Sequence, residues 1–105
     1  MAKRIILDVV TPLGDRVILT RDRWREIIRY KHPALAGHHD ELGECLRDPD
    51  AVRSSTKDPD VHLYYRATDR GHICAVIGGE DRQQRFVITA SFTQGLKAGR
   101  ELWKR

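Results

Sequence analysis

Histidine, arginine and hydroxyl side chains recur in this chain at spacings that can bring them together. His62, Tyr64 and Arg66 alternate along one short run, as do Thr89 and Ser91 along another, with Arg53 and Ser55 alternating in a third. On an extended strand, alternate residues share a face. Arg21, Arg25 and Arg29 recur every four residues, and His32 follows three later. On a helix those positions share a side. An imidazole exchanges protons near neutral pH, and a guanidinium holds a phosphate through paired hydrogen bonds. Metal-independent RNA cleavage needs such a set: a base for the 2′-OH proton, an acid for the leaving oxygen, and cations for the charge on phosphorus. In that chemistry His32 or His62 is the acid or base. Arg66, Arg53, Arg25 and Arg29 hold phosphate. Tyr64, Thr89 and Ser91 hydrogen-bond it or position the nucleophile. The plainer reading of the same residues is a solvated helix face and the wet side of a sheet.

Other chemistries are weaker. His38 and His39 with Cys45, or His72 with Cys74, offer metal-ligand types but match no closed zinc pattern. Gly78-Gly79 lacks the Lys-Ser/Thr that completes a phosphate loop, so it reads as a turn. There is no Ser-His-Asp arrangement and no nucleophile elbow. The expectation is a site with no metal and no cofactor.

The elements that must carry these residues follow from pattern. Residues 3–10 are rich in β-branched side chains and predict a strand. Thr11-Pro12-Leu13-Gly14 predicts a type I turn, and residues 17–19 predict the returning strand of a hairpin. Residues 19–33 predict one amphipathic helix. Thr20 is its N-cap, Trp24, Ile27 and Ile28 form its apolar face, and Pro33 is its stop. Leu35, Leu42, Cys45 and Leu46 predict a second helix, ending before Asp48-Pro49-Asp50. Residues 51–56, 61–67, 72–78 and 85–92 predict four strands joined by short turns, hence an antiparallel meander. Residues 93–103 predict a last helix. The fold class is α+β: an N-terminal β-hairpin and helices packed on a four-stranded antiparallel sheet, with a C-terminal helix. Helices on one side leave the other side wet. On β-strand 61–67 the expected core face is Val61, Leu63, Tyr65 and Ala67. The expected wet face is His62, Tyr64 and Arg66, joined there by Thr89, Ser91 and Arg53.

The chain has 105 residues, enough for one domain over 1–105 with one modest core. Asp8 interrupts the first apolar run too early for a signal peptide, and no run reaches membrane-spanning length. Cys45 and Cys74 are too few and too isolated for a disulfide framework. A cytoplasmic protein with no membrane partner is expected. The formal net charge of +4 suits an acidic partner such as RNA.

Several stretches in order carry a resemblance: Thr11-Pro12-Leu13-Gly14, Val17-Ile18-Leu19-Thr20 with Trp24, His32-Pro33, Leu46-Arg47-Asp48-Pro49-Asp50, Tyr64-Tyr65-Arg66, Val87-Ile88-Thr89-Ala90 and Trp103. Together they resemble the phage-associated nuclease-like families of the barnase–EndoU–colicin–RelE group. The resemblance implies helices packed on a four-stranded antiparallel sheet and a metal-independent endoribonuclease of toxin-like or phage-derived kind. It makes His32 the helix-borne catalytic or substrate-contacting residue, Arg66 the phosphate-binding strand residue and Thr89 the last-strand hydroxyl. The pattern departs at Ala34, where relatives carry an acid that would orient the histidine. Expected partners are RNA, a protein inhibitor or antitoxin, and a second copy paired along a sheet edge. The alternative is a non-catalytic RNA- or protein-binding module of the same fold.

Overall fold

The computed structural model describes residues 4–105. Lys3, the expected first residue of the first strand, lies outside them. Strands β1 (Ile5–Val10) and β2 (Arg16–Thr20) form the expected hairpin. The Gly14 N–H donates to the Thr11 carbonyl at 2.9 Å. Gly14 has φ of +83°, a conformation that costs glycine nothing. The Thr20 hydroxyl accepts the Arg23 N–H at 3.3 Å and starts α1 (Arg21–Glu26) as expected. The helix does not run regularly to Pro33. It widens into a π-helical turn, Ile27–Lys31, closed by the His32 N–H on the Ile27 carbonyl at 2.7 Å. Pro33 opens a short 3-10 turn, Pro33–Leu35. Helix α2 (His39–Arg47) then buries Leu42, Cys45 and Leu46 completely, and its acidic first turn, Asp40 and Glu41, complements the helix dipole.

The second half supplies β3 (Ala51–Ser54), β4 (His62–Thr68), β5 (Gly71–Gly78), β6 (Arg85–Thr93) and β7 (Glu101–Lys104). The α+β class holds, and β3 to β6 form the expected antiparallel meander. The four-stranded sheet does not hold. One seven-stranded mixed sheet runs β1-β2-β6-β5-β4-β3-β7. The hairpin joins it instead of packing on it, because β2 pairs parallel to β6 through Val17–Arg85 and Ile18–Phe86.

The expected C-terminal helix is also absent. The chain leaves β6 at Thr93 and returns as β7, antiparallel to β3, with Ala51 opposite Lys104 and Val52 opposite Trp103. Gly95 and Gly99 each cost a helix about 1 kcal/mol relative to alanine. Gly99 also lies so close to the Ser54 carbonyl that a side chain there would collide with it. The Ser54 N–H donates to the Arg100 carbonyl at 2.8 Å. The backbone groups of this segment are satisfied by β3 and not by a helix.

The helical segments cover one sheet face. Trp24, Ile27, Leu35, Leu42, Cys45 and Leu46 pack there with Leu7, Leu19, Val52, Tyr64, Ile73, Ile77 and Val87. The other face is partly covered too. Leu96, from the segment before β7, packs with Val76 on Leu63, Tyr65 and Cys74. Strand β4 is therefore buried on both sides.

Two glycine variants separate this path from a helix. Gly99→Ala should destabilise by about 1–3 kcal/mol through overpacking. Gly95→Ala, with nothing within 4 Å of the added carbon, should shift stability by no more than about 0.5 kcal/mol. A helix over these residues would instead gain stability from both, and the urea midpoints of the two variants decide it.

Candidate functional site

The two faces of β4 are exchanged relative to the sequence expectation. In an antiparallel ladder, paired residues point to the same face. Tyr64 stands opposite Val52 and Ala75 and is completely buried in the main core. Arg66 stands opposite Ile73, also in that core. So His62, Tyr64 and Arg66 point toward the helices. Leu63 and Tyr65 point to the side carrying Arg53, Val76, Thr89, Cys74 and Ser91. The expectation that His62, Tyr64 and Arg66 share a wet face with Thr89, Ser91 and Arg53 is thus corrected. Alternation could not rank the faces because both are covered. The polar atoms on the core side are satisfied internally: the Tyr64 hydroxyl donates to Thr11 Oγ1 at 2.8 Å, and burial pushes its pKa up to about 12.

The five residues expected to do catalysis do not converge. His62, Tyr64 and Arg66 stand on one face of β4, each with its own partners. Thr89 stands on the other face of the sheet, and His32 ends the π-helical turn. Arg66 donates to the Asp48 carbonyl and, at 3.1 Å, to the Asp48 carboxylate. Asp48 also receives Arg105 at 2.8 Å, and the hydrogen bonds from Arg105 and Arg66 hold its pKa low. Thr89 lies on the far face with Oγ1 buried and without a partner among the described residues. His32 ends the π-helical turn, partly exposed, and its ring hydrogen-bonds none of the other four. On the far face, Arg53 donates to the Lys97 carbonyl at 2.8 Å and Tyr65 accepts the Lys97 N–H at 3.1 Å. Both side chains thereby hold down the segment that crosses that face. Ser91 stands there opposite Cys74.

His62 belongs to a buried ion cluster that sequence reading missed. Asp15 and Arg85 are 1% and 2% exposed. Asp15 accepts from Arg82 and, at 3.3 Å, from Arg85 Nη1. Arg85 also donates to the carbonyls of Gly79 and Asp60 and, at 2.8 Å, to His62 Nδ1. A guanidinium only donates, so Nδ1 is the acceptor and the neutral ring carries its proton on Nε2. A cavity of about 180 Å³ opens beside it, lined by Asp60, His62, Gly79, Glu80, Arg82 and Arg85. Burial, then the charges of Arg85 and Arg82, lower the His62 pKa against the opposing pull of Asp15 and Asp60. The cavity lining pairs two carboxylates with two guanidinium groups, both already engaged by Asp15. It is a poor seat for phosphate.

Among the described residues, no group of three or more His, Cys, Asp or Glu side chains is placed to hold a metal. His38 Nδ1 lies 2.6 Å from Glu41, and Cys45 donates to main-chain carbonyls inside the core. His72 and Cys74 share the far face; burial pushes the Cys74 thiol up to about 11, and the Tyr65 ring stands edge-on to His72 at 6.5 Å. Among the described residues, no helix is long and apolar enough to cross a membrane.

The arginines of the helical segment are different. Arg25 and Arg29 are exposed and form no ion pair among the described residues, although Glu26 lies between them and is engaged by Arg23 at 3.1 Å. They line a groove of about 420 Å³ whose floor is Ile28, Pro33 and Ala36. Tyr30 beside it is 76% exposed. Its place between Arg29 and Lys31, an aromatic flanked by two cations, was the available sequence signal.

The His62 environment predicts a pH dependence of stability. Above an ordinary imidazole pKa of about 6.5, folded and unfolded states both hold the ring neutral and the full contribution is present. As pH falls below that value, the unfolded chain takes up a proton that the folded chain resists, and stability falls until the lowered folded pKa is passed. The urea midpoint should therefore drop between pH 7 and pH 5, and drop less in His62→Gln, whose amide oxygen can still accept from Arg85. Parallel profiles for the two proteins would contradict this origin. Comparison with family models, curated proteins and solved structures finds no match for the chain.

Proposed function

We propose that this chain is an RNA-binding module that contacts the phosphate backbone through the exposed face of its helical segment. The supporting observation is that Arg25 and Arg29 have no carboxylate partner among the described residues and line one groove, whereas Arg66, Arg82, Arg85 and Arg105 are engaged by Asp48, Asp50 or Asp15. A cation without an internal partner is free to displace the counterions of a polyanion. Arg25 in α1 and Arg29 in the π-helical turn stand on a segment anchored to the core by Trp24 and Ile27, which presents both charges outward. Binding without turnover accounts for the separation of His32, His62, Tyr64, Arg66 and Thr89 better than a ribonuclease does, since acid–base cleavage needs its groups within hydrogen-bond reach of one phosphate.

The test is binding of short single-stranded RNA across a salt series. The slope of log K against log salt should become shallower by about 0.7 for each arginine lost in Arg25→Gln and Arg29→Gln. Arg66→Gln should leave the slope unchanged. The RNA should be recovered intact with EDTA present. Defined fragments, lost in His32→Ala or Arg66→Ala, would instead establish the endoribonuclease.

A further inference from the structure

We infer that the groove beside Tyr30 takes an unpaired RNA strand, with one base stacked on the Tyr30 ring; this rests on the RNA-binding reading above and specifies its ligand. Tyr30 is the most exposed of the large hydrophobic side chains among the described residues, at 76%. The Arg29 guanidinium carbon lies 5.8 Å from its ring centroid. Arg29 also lines the adjoining groove, so one side chain borders both features. A base on the ring therefore places its phosphate beside Arg29. The next nucleotide reaches the apolar floor of Ile28, Pro33 and Ala36, with Arg25 at the far side. The groove volume of about 420 Å³ lies in the range of small-ligand sites, about 300–1,000 Å³, and accepts a nucleotide but not a duplex.

A paired and stacked base has no free face to offer an aromatic ring, so this geometry selects single strands. An apolar floor between two cations also matches the alternation of base and phosphate along an unpaired chain. An acidic peptide would engage the arginines equally well but gives no role to an exposed ring with a guanidinium beside it.

The intact chain is titrated with three fluorescent 12-mers: oligouridylate, the same strand in duplex with oligoadenylate, and an abasic phosphodiester of equal length. The single strand should bind about tenfold tighter than the other two, the scale of one stacked base. Tyr30→Ala should remove that advantage, and Tyr30→Phe, which keeps the ring, should retain it. Both changes lie on an exposed side chain, and thermal unfolding checks that the fold is kept. If Tyr30→Ala binds like the unchanged protein, or the abasic strand binds as well as oligouridylate, the stacking site is overturned while arginine-dependent binding survives. If none of the three binds, the RNA-binding reading fails with it.

Discussion

The contact on which the architecture depends is the buried ion pair between Asp15 and Arg85. One belongs to the hairpin turn and the other opens β6, seventy residues later. Arg85 distributes its donors to Asp15, His62, Gly79 and Asp60, so one guanidinium ties together the β1–β2 turn, the start of β4 and the loops before β4 and β6. Only two residue pairs join β2 to β6, assisted by the Arg16 N–H on the Arg82 carbonyl at 2.9 Å. So short a parallel seam needs a second attachment, and the ion cluster is that attachment. A buried pair of this kind adds little net stability over an apolar substitute, but removing one partner strands a charge at a cost of about 3–5 kcal/mol. Its contribution is to register: the hairpin has one place to sit.

From that placement the helical segment follows. β2 runs directly into α1, so fixing β2 against β6 fixes where Trp24 and Ile27 enter the core and which side of the segment is left outside. The π-helical turn accommodates an extra residue before Pro33. Leu35 can then reach full burial while Arg25, Arg29 and Tyr30 stay at the surface. At the other end of the sheet, Asp48 and Asp50 hold Arg66 and Arg105, and the Arg105 N–H donates to the Asp50 carbonyl at 3.0 Å. The chain end is thereby bound to β3 and β4, and the sheet gains its seventh strand.

Several short-range signals in the sequence correspond to structure, but the helix read over residues 93–103 does not form, and the long-range pairings are not legible. Thr20, Pro33 and Gly14 act through neighbours a few residues away, and the cap, the stop and the turn are all present. The four strands of the meander are bounded by short turn sequences, and all four form. What is invisible locally is which strand joins which beyond a hairpin. Nothing near Val17 announces Arg85, and nothing near Lys104 announces Ala51. The face assignment of β4 fails for a related reason. Polarity predicts outward orientation only when the inward side has no partner for the polar atom, and Thr11 and Arg85 are such partners for Tyr64 and His62. Leu63 and Tyr65, conversely, are hidden by Leu96 from a segment read as a helix, which instead crosses that face of the sheet without forming one.

The same logic separates the charged residues by use. Arg16, Arg53, Arg66, Arg82, Arg85 and Arg105, on the sheet and its flanks, are held by carboxylates, by main-chain carbonyls or by both, and each such bond spends a donor that a phosphate would need. The helix arginines at 25 and 29 are exposed and form no ion pair among the described residues. Evolution of a fold constrains a buried or clamped arginine through stability, because its loss leaves an unmatched carboxylate. It does not constrain an exposed one that way, since surface substitutions usually change stability by no more than about 0.5 kcal/mol. Arg25, Arg29 and Tyr30 are exposed, so replacing them probes the proposed RNA contact while leaving the fold almost unchanged, which replacing a clamped arginine does not.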